Sequence, residues 1–209
     1  HGFNYQGADK LGREFYEMCQ KSNPDFLMVG EGCYDLQSQY YGTYTRADYW
    51  HEPVLRYIDP TVPIACAVID HNDLNHVNMC LADRYAMSYE VRNFKGHLGE
   101  FPRVMAYGRK VDNLRRRYAD FLWNGEFLDV LGATVKGDNI RYTVFRNLKN
   151  GKKAVVVYNV DTKKANTASV SIDGSSAPLV MASPEKPAPA KFMGAVTLGP
   201  QSAVVIMEK

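Results

Sequence analysis

The sequence predicts an α/β region followed by an all-β region: units of a parallel (β/α)8-type barrel over residues 1–124, then an antiparallel β-sandwich over 125–209. Three observations lead there. A helical stretch closes at Asn23-Pro24-Asp25 and leads into the apolar run Phe26-Leu27-Met28-Val29 and the tripeptide Gly30-Glu31-Gly32. A second apolar run, Ile64-Ala65-Cys66-Ala67-Val68-Ile69, empties into Asp70-His71-Asn72-Asp73. From Gly125 the apolar residues recur at every second position between turn residues. Helix, tight turn, buried strand and a polar exit make one unit of a parallel barrel, whose reactive groups sit at the strand C-terminal ends. A period of two with closely spaced turns is the pattern of a sandwich.

Taken in order, the first helix runs from Ala8 to Ser22, with Leu11, Phe15, Met18 and Cys19 recurring at helical spacing. Pro24 stops it, because proline disfavours helical geometry in the residue before it and cannot continue the ladder. Phe26 to Val29 is of strand length. A tyrosine-dense loop follows, with Tyr34, Tyr40, Tyr41 and Tyr44, and Asp48 caps a short helix through Tyr57. Ile64 to Ile69 is continuously apolar, as parallel strands buried on both faces are. Next come a helix from about Asn75 to Tyr85 and the run from Ala86 to Val91, which reads as a weak strand or as a continuation of that helix. Pro102 suits the first turn of a long helix reaching Trp123, whose inner stripe is Val104, Tyr107, Val111, Leu114, Tyr118 and Phe121. Arg115-Arg116-Arg117 on it reads as a solvated or inter-domain face.

In the last 85 residues, Ile140–Phe145 and Ala154–Val157 flank Asn150-Gly151, a hairpin signal. Ala168–Ile172 ends at Asp173-Gly174, and Glu185–Ala190 is a proline-rich loop. Gly194–Leu198 and Ser202–Met207 complete the set.

Composition excludes several classes. With 25 basic and 23 acidic residues there is no electrostatic reason to expect nucleic acid or an anionic membrane as partner. No apolar run approaches the ~20 residues that cross a bilayer. Cys19, Cys33, Cys66 and Cys80 form no Cys-x-x-Cys pair, so they read as reduced structural thiols, with no metal implied. All five histidines, both tryptophans and 12 of the 14 tyrosines lie in residues 1–124, so the chemistry is expected there.

Carboxylates at the ends of two successive apolar strands, beside tyrosine and tryptophan, suit glycosidic bond cleavage. One protonated acid delivers a proton to the leaving oxygen while an ionised one stabilises positive charge at the sugar carbon. Glu31 is the candidate proton donor. Asp73 is the candidate transition-state carboxylate, with Asp70 second. His71, Asn72, Tyr34 and Trp50 are candidate sugar contacts, and no cofactor is implied. The other readings are a non-catalytic carbohydrate-binding or assembly module, and an α/β hydrolase. The second needs a Gly-x-Ser-x-Gly turn, which is absent from the sequence.

Two segments carry a resemblance. Gly12-Arg13-Glu14-Phe15 and Asn23 to Glu31 resemble the helix and fifth strand of α-amylase-like glycoside hydrolases, where a strand-end Gly-Glu supplies the acid/base. Asp70-His71-Asn72-Asp73 is similar to that superfamily's Asn-His-Asp motif, although the order differs and the spacing from Glu31 is shorter. The resemblance implies a nucleophilic aspartate on an earlier strand, upstream of His1. The chain is therefore expected to be a C-terminal half-barrel with its sandwich, inactive alone, and bound to its missing half or to a second copy.

Overall fold

The computed structural model describes residues 5–31, 42–45, 56–57, 60–68, 73–89 and 96–209. The chain divides into two compact units, residues 1–66 and 67–209. The composition is mixed α/β with a β-rich C-terminal part.

The first unit opens with α1, Tyr5–Ser22. It stops where Asn23-Pro24 requires, and the Asn23 side chain accepts from the Asp25 amide in an Asx turn. The strand that follows is β1, Val29–Glu31, three residues later than the apolar run suggested. The reason lies in the backbone of Phe26. Its N–H donates to the Asn23 carbonyl and its carbonyl accepts from the Gln20 side chain, so neither is left for a ladder. Beside β1 lies β2, Gly42–Thr45, inside the stretch expected to be loop. Four residues without an aliphatic side chain carry no periodic signal. Both β1 and the following β3, Ile64–Ala67, pair with β2 in parallel. The two strands expected to be consecutive are therefore separated by one.

Of the apolar stripe read along α1, Leu11 is 68%, Phe15 47% and Met18 57% accessible, while Cys19 is half-buried. Among the described side chains of α1, Gly12, Tyr16 and Gln20 are half-buried beside Cys19. A row of exposed apolar side chains along a helix invites association. Purified residues 1–209 are expected to elute larger than a monomer in light-scattering chromatography, and the triple variant Leu11→Lys, Phe15→Glu, Met18→Lys to elute as one. A monodisperse wild-type monomer would remove this expectation.

In the second unit, α2 covers Leu74–Ala82 and every one of its residues is buried. The weak strand is realised as β4, Ala86–Ser88. The long helix is split into α3, Pro102–Arg117, and α4, Ala119–Leu122. Tyr118 closes the first and opens the second, donating to the Leu114 carbonyl and accepting from Phe121 and Leu122.

Nine strands then build the sandwich: β5 (Glu126–Phe127), β6 (Ala133–Lys136), β7 (Ile140–Arg146), β8 (Lys153–Asn159), β9 (Asn166–Ile172), β10 (Leu179–Ala182), β11 (Ala190–Lys191), β12 (Ala195–Leu198) and β13 (Ala203–Glu208). One sheet has the order β11-β10-β13-β8-β7-β5 and the other β12-β9-β6. The expected turns at Gly151 and Gly174 both take positive φ, at 73° each. Val144, Val155, Val157, Ala168, Val170, Ile172, Leu198, Val204 and Ile206 form the core of the sandwich. The other face of β8, with Ala154, Val156 and Tyr158, is buried as well. Its neighbour β7 reaches the α2 side, where the Thr143 hydroxyl donates to the Ala82 carbonyl at 2.7 Å.

Two tyrosines in this unit set an alkaline limit. Burial pushes the Tyr107 and Tyr158 hydroxyls well above their usual range, so the folded state holds protons that the unfolded chain releases. Their stabilisation is complete below the ordinary tyrosine pKa of about 10 and is lost as pH rises above it. Arg115 runs the opposite way, its guanidinium being pulled down to about 10 by burial, which relieves some of its cost in the same window. Tyr107→Phe should flatten the alkaline fall in urea midpoint between pH 9 and 11 while costing about 1 kcal/mol at neutral pH for the lost bond to Asn78. An unchanged alkaline slope would exclude Tyr107 as its source.

Candidate active site

Glu31 is the last residue of β1, in register with Tyr44 of β2, which is in turn level with Ala65 of β3. The strand order places its backbone at the C-terminal end of a parallel sheet. Asp70, His71, Asn72, Tyr34 and Trp50 lie outside the described residues.

Asp73 is described, and it is the N-cap of α2. Its backbone is extended (φ −119°, ψ 127°), as an N-cap requires, and its carboxylate accepts from the Asn75 N–H at 2.8 Å. The same oxygen, Oδ1, accepts from the side-chain amide of Gln201 in the β12–β13 turn. Two donors thus hold this carboxylate as a helix cap and an anchor for the sandwich.

Around Asp73 the helix and the sandwich are joined by buried polar groups. Asn75 donates to the Val160 carbonyl at 2.9 Å, and Asn78 to the Gln201 carbonyl at 3.0 Å. The Tyr107 hydroxyl donates to the Asn78 side chain at 2.7 Å. Arg103 of α3 donates to the Gln201 side-chain oxygen at 2.9 Å. Asparagines on a fully buried helix were a legible signal that α2 packs against backbone carbonyls and not only apolar side chains.

The arginine triplet divides sharply. Arg116 and Arg117 are exposed, whereas Arg115 is fully buried. Its guanidinium donates to the Tyr85 carbonyl at 2.9 Å and the Cys80 carbonyl at 2.6 Å, and lies 4.3 Å from the Trp123 ring centroid. The expected solvated face is therefore corrected for this residue. Periodicity places Arg115 beside Leu114 and Val111 on the inner side of α3, and the carbonyls at the end of α2 receive it. No cluster of three or more His, Cys, Asp or Glu side chains suited to a metal occurs among the described residues.

No protein-family profile matches the chain, and no curated protein sequence does. Among solved structures, it is similar to a Paenibacillus polymyxa xyloglucanase from glycoside hydrolase family 44, with 15% identity and a TM-score of 0.37. The match covers 74% of this chain and 34% of that structure's chain.

Proposed function

We propose that the chain carries acid/base groups of a barrel glycoside hydrolase, with Glu31 as proton donor and Asp70 as the ionised carboxylate at the sugar carbon. The observation that carries this reading is Glu31 ending β1 within the parallel set β1-β2-β3. His71 and Asn72 would hold hydroxyls, and Tyr34 and Trp50 would cover ring faces. The half-barrel architecture, and completion of the barrel by further elements, belong to the same proposal.

Asp70 is preferred over Asp73 because Asp73 is committed to capping α2 and receiving Gln201. Two substitutions separate the roles. Asparagine caps as well as aspartate, so Asp73→Asn should retain stability and activity, whereas Asp70→Asn should retain stability and lose hydrolysis of glycosides by at least about a hundredfold. Loss of activity in Asp73→Asn with an unchanged melting temperature would return the catalytic role to Asp73.

A binding module centred on the sandwich has one observation against it. Phe127, Phe145, Tyr158 and Phe192 are all buried, and Tyr142 packs on the core. The sandwich therefore presents no aromatic platform to a sugar ring.

A further inference from the structure

We propose that the pocket between β4 and α3 binds a small organic anion, a carboxylate carried on an apolar body. The pocket lies within the second unit and has a volume of about 390 Å3, the size of a small-ligand site. One wall is a stripe of α3: Met105, Arg109, Asp112 and Arg116 follow one another at helical spacing and share a face. Ala86 and Met87 of β4, with Tyr89 just after it, and Arg115 with Trp123 complete the lining.

The charges of this lining do not balance. Three guanidiniums meet one carboxylate, and Asp112 is taken up by Arg116 at 2.7 Å. Arg109 is exposed and makes no ion pair among the described residues. Arg115 is fully buried, yet its two terminal nitrogens reach neutral carbonyls and its Nε has no hydrogen-bond partner. A buried charge ordinarily has a counter-charge in contact, and this one makes no ion pair among the described residues. An anion in the pocket would lie beside both guanidiniums and supply it. The Tyr89 hydroxyl is a further donor, since its acceptor among the described residues is the Met87 sulfur at 3.8 Å, a weak one. Gly108 of α3 gives that hydroxyl its place: a Cβ there would collide with it, although glycine weakens a helix interior. Met87, Met105 and the Trp123 ring offer the apolar surface, which a free phosphate ion would leave unused.

The test uses benzoate as the probe, inorganic phosphate as an anion without the apolar body, and benzyl alcohol as the body without the charge. The two tryptophan indole N–H signals in the NMR spectrum are assigned with Trp123→Phe. Benzoate is expected to shift the Trp123 signal saturably, with a dissociation constant of about 1 mM or tighter. Phosphate and benzyl alcohol should leave that signal in place. Arg109→Gln, at an exposed position, should weaken benzoate binding by about fivefold or more. Ala86→Phe, which narrows the pocket from an exposed strand position, should weaken it comparably, with the melting temperatures of both variants near that of the wild type. If phosphate shifts Trp123 as strongly as benzoate does, or if either variant binds benzoate as the wild type does, the lining is a cationic patch without a built site and the proposal is overturned. The absence of any benzoate shift at Trp123 overturns it as well.

Discussion

Glu31→Gln is expected to lower glycoside hydrolysis by the natural protein at least about a thousandfold, some 4 kcal/mol in activation free energy. Glutamine keeps the size and the hydrogen-bonding oxygen but has no proton to deliver to a departing sugar oxygen. The loss should depend on the leaving group. A dinitrophenolate leaves without protonation, so dinitrophenyl glycosides should lose less in the variant than alkyl glycosides, whose alkoxide needs the acid. Equal losses on both substrates would show that Glu31 is not the acid, even if it is essential. Unchanged turnover on both would remove it from the site. Far-ultraviolet dichroism of the variant controls for folding.

Arg115→Ala should be the most damaging single change to the stability of the second unit, by about 3–5 kcal/mol in urea unfolding. Three losses combine. A large buried side chain leaves a cavity, the Tyr85 carbonyl loses its guanidinium donor, and the Trp123 ring loses the cation stacked on it. The Cys80 carbonyl fares better, since the Tyr85 N–H also donates to it at 2.9 Å. Arg115→Lys should recover less than half of the loss, because one ammonium cannot span two carbonyls while stacking on a ring. Arg115→Met separates charge from volume. Should it match the wild type, packing alone explains the residue, as replacement of buried ions by apolar groups sometimes does. A cost below about 1 kcal/mol for Arg115→Ala would mean that the guanidinium only offsets its own desolvation.

Asn23-Pro24-Asp25 set the end of α1 in advance, since a prolyl peptide constrains its neighbours whatever surrounds it. Likewise Asn150-Gly151 and Asp173-Gly174 set two sandwich turns, because positive φ is available locally at glycine. The alternation in β9, where every second residue from Ala168 to Ile172 is buried, was legible for the same reason: a strand presents alternate residues to one face. Glu31 was legible as a strand-end acid from the apolar run before it and the glycines around it.

The rest depended on partners distant in the chain. Gly42–Thr45 is a strand because β1 and β3 flank it, and not through its own residues. The short strands β10 and β11 exist because β13 offers an edge to Val180 and Met181, which in turn pair with Lys191 and Ala190. The stripe Leu11, Phe15 and Met18 has a helical period, yet a period alone does not say which face finds neighbours. Asp73 could be read as a cap or as a catalytic acid, two roles that demand the same residue type. Only the arrival of Gln201, 128 residues further along, ties that carboxylate to the sandwich. Local sequence sets what a backbone segment can do, while a side chain's commitments are set by whichever polar groups the tertiary fold buries beside it.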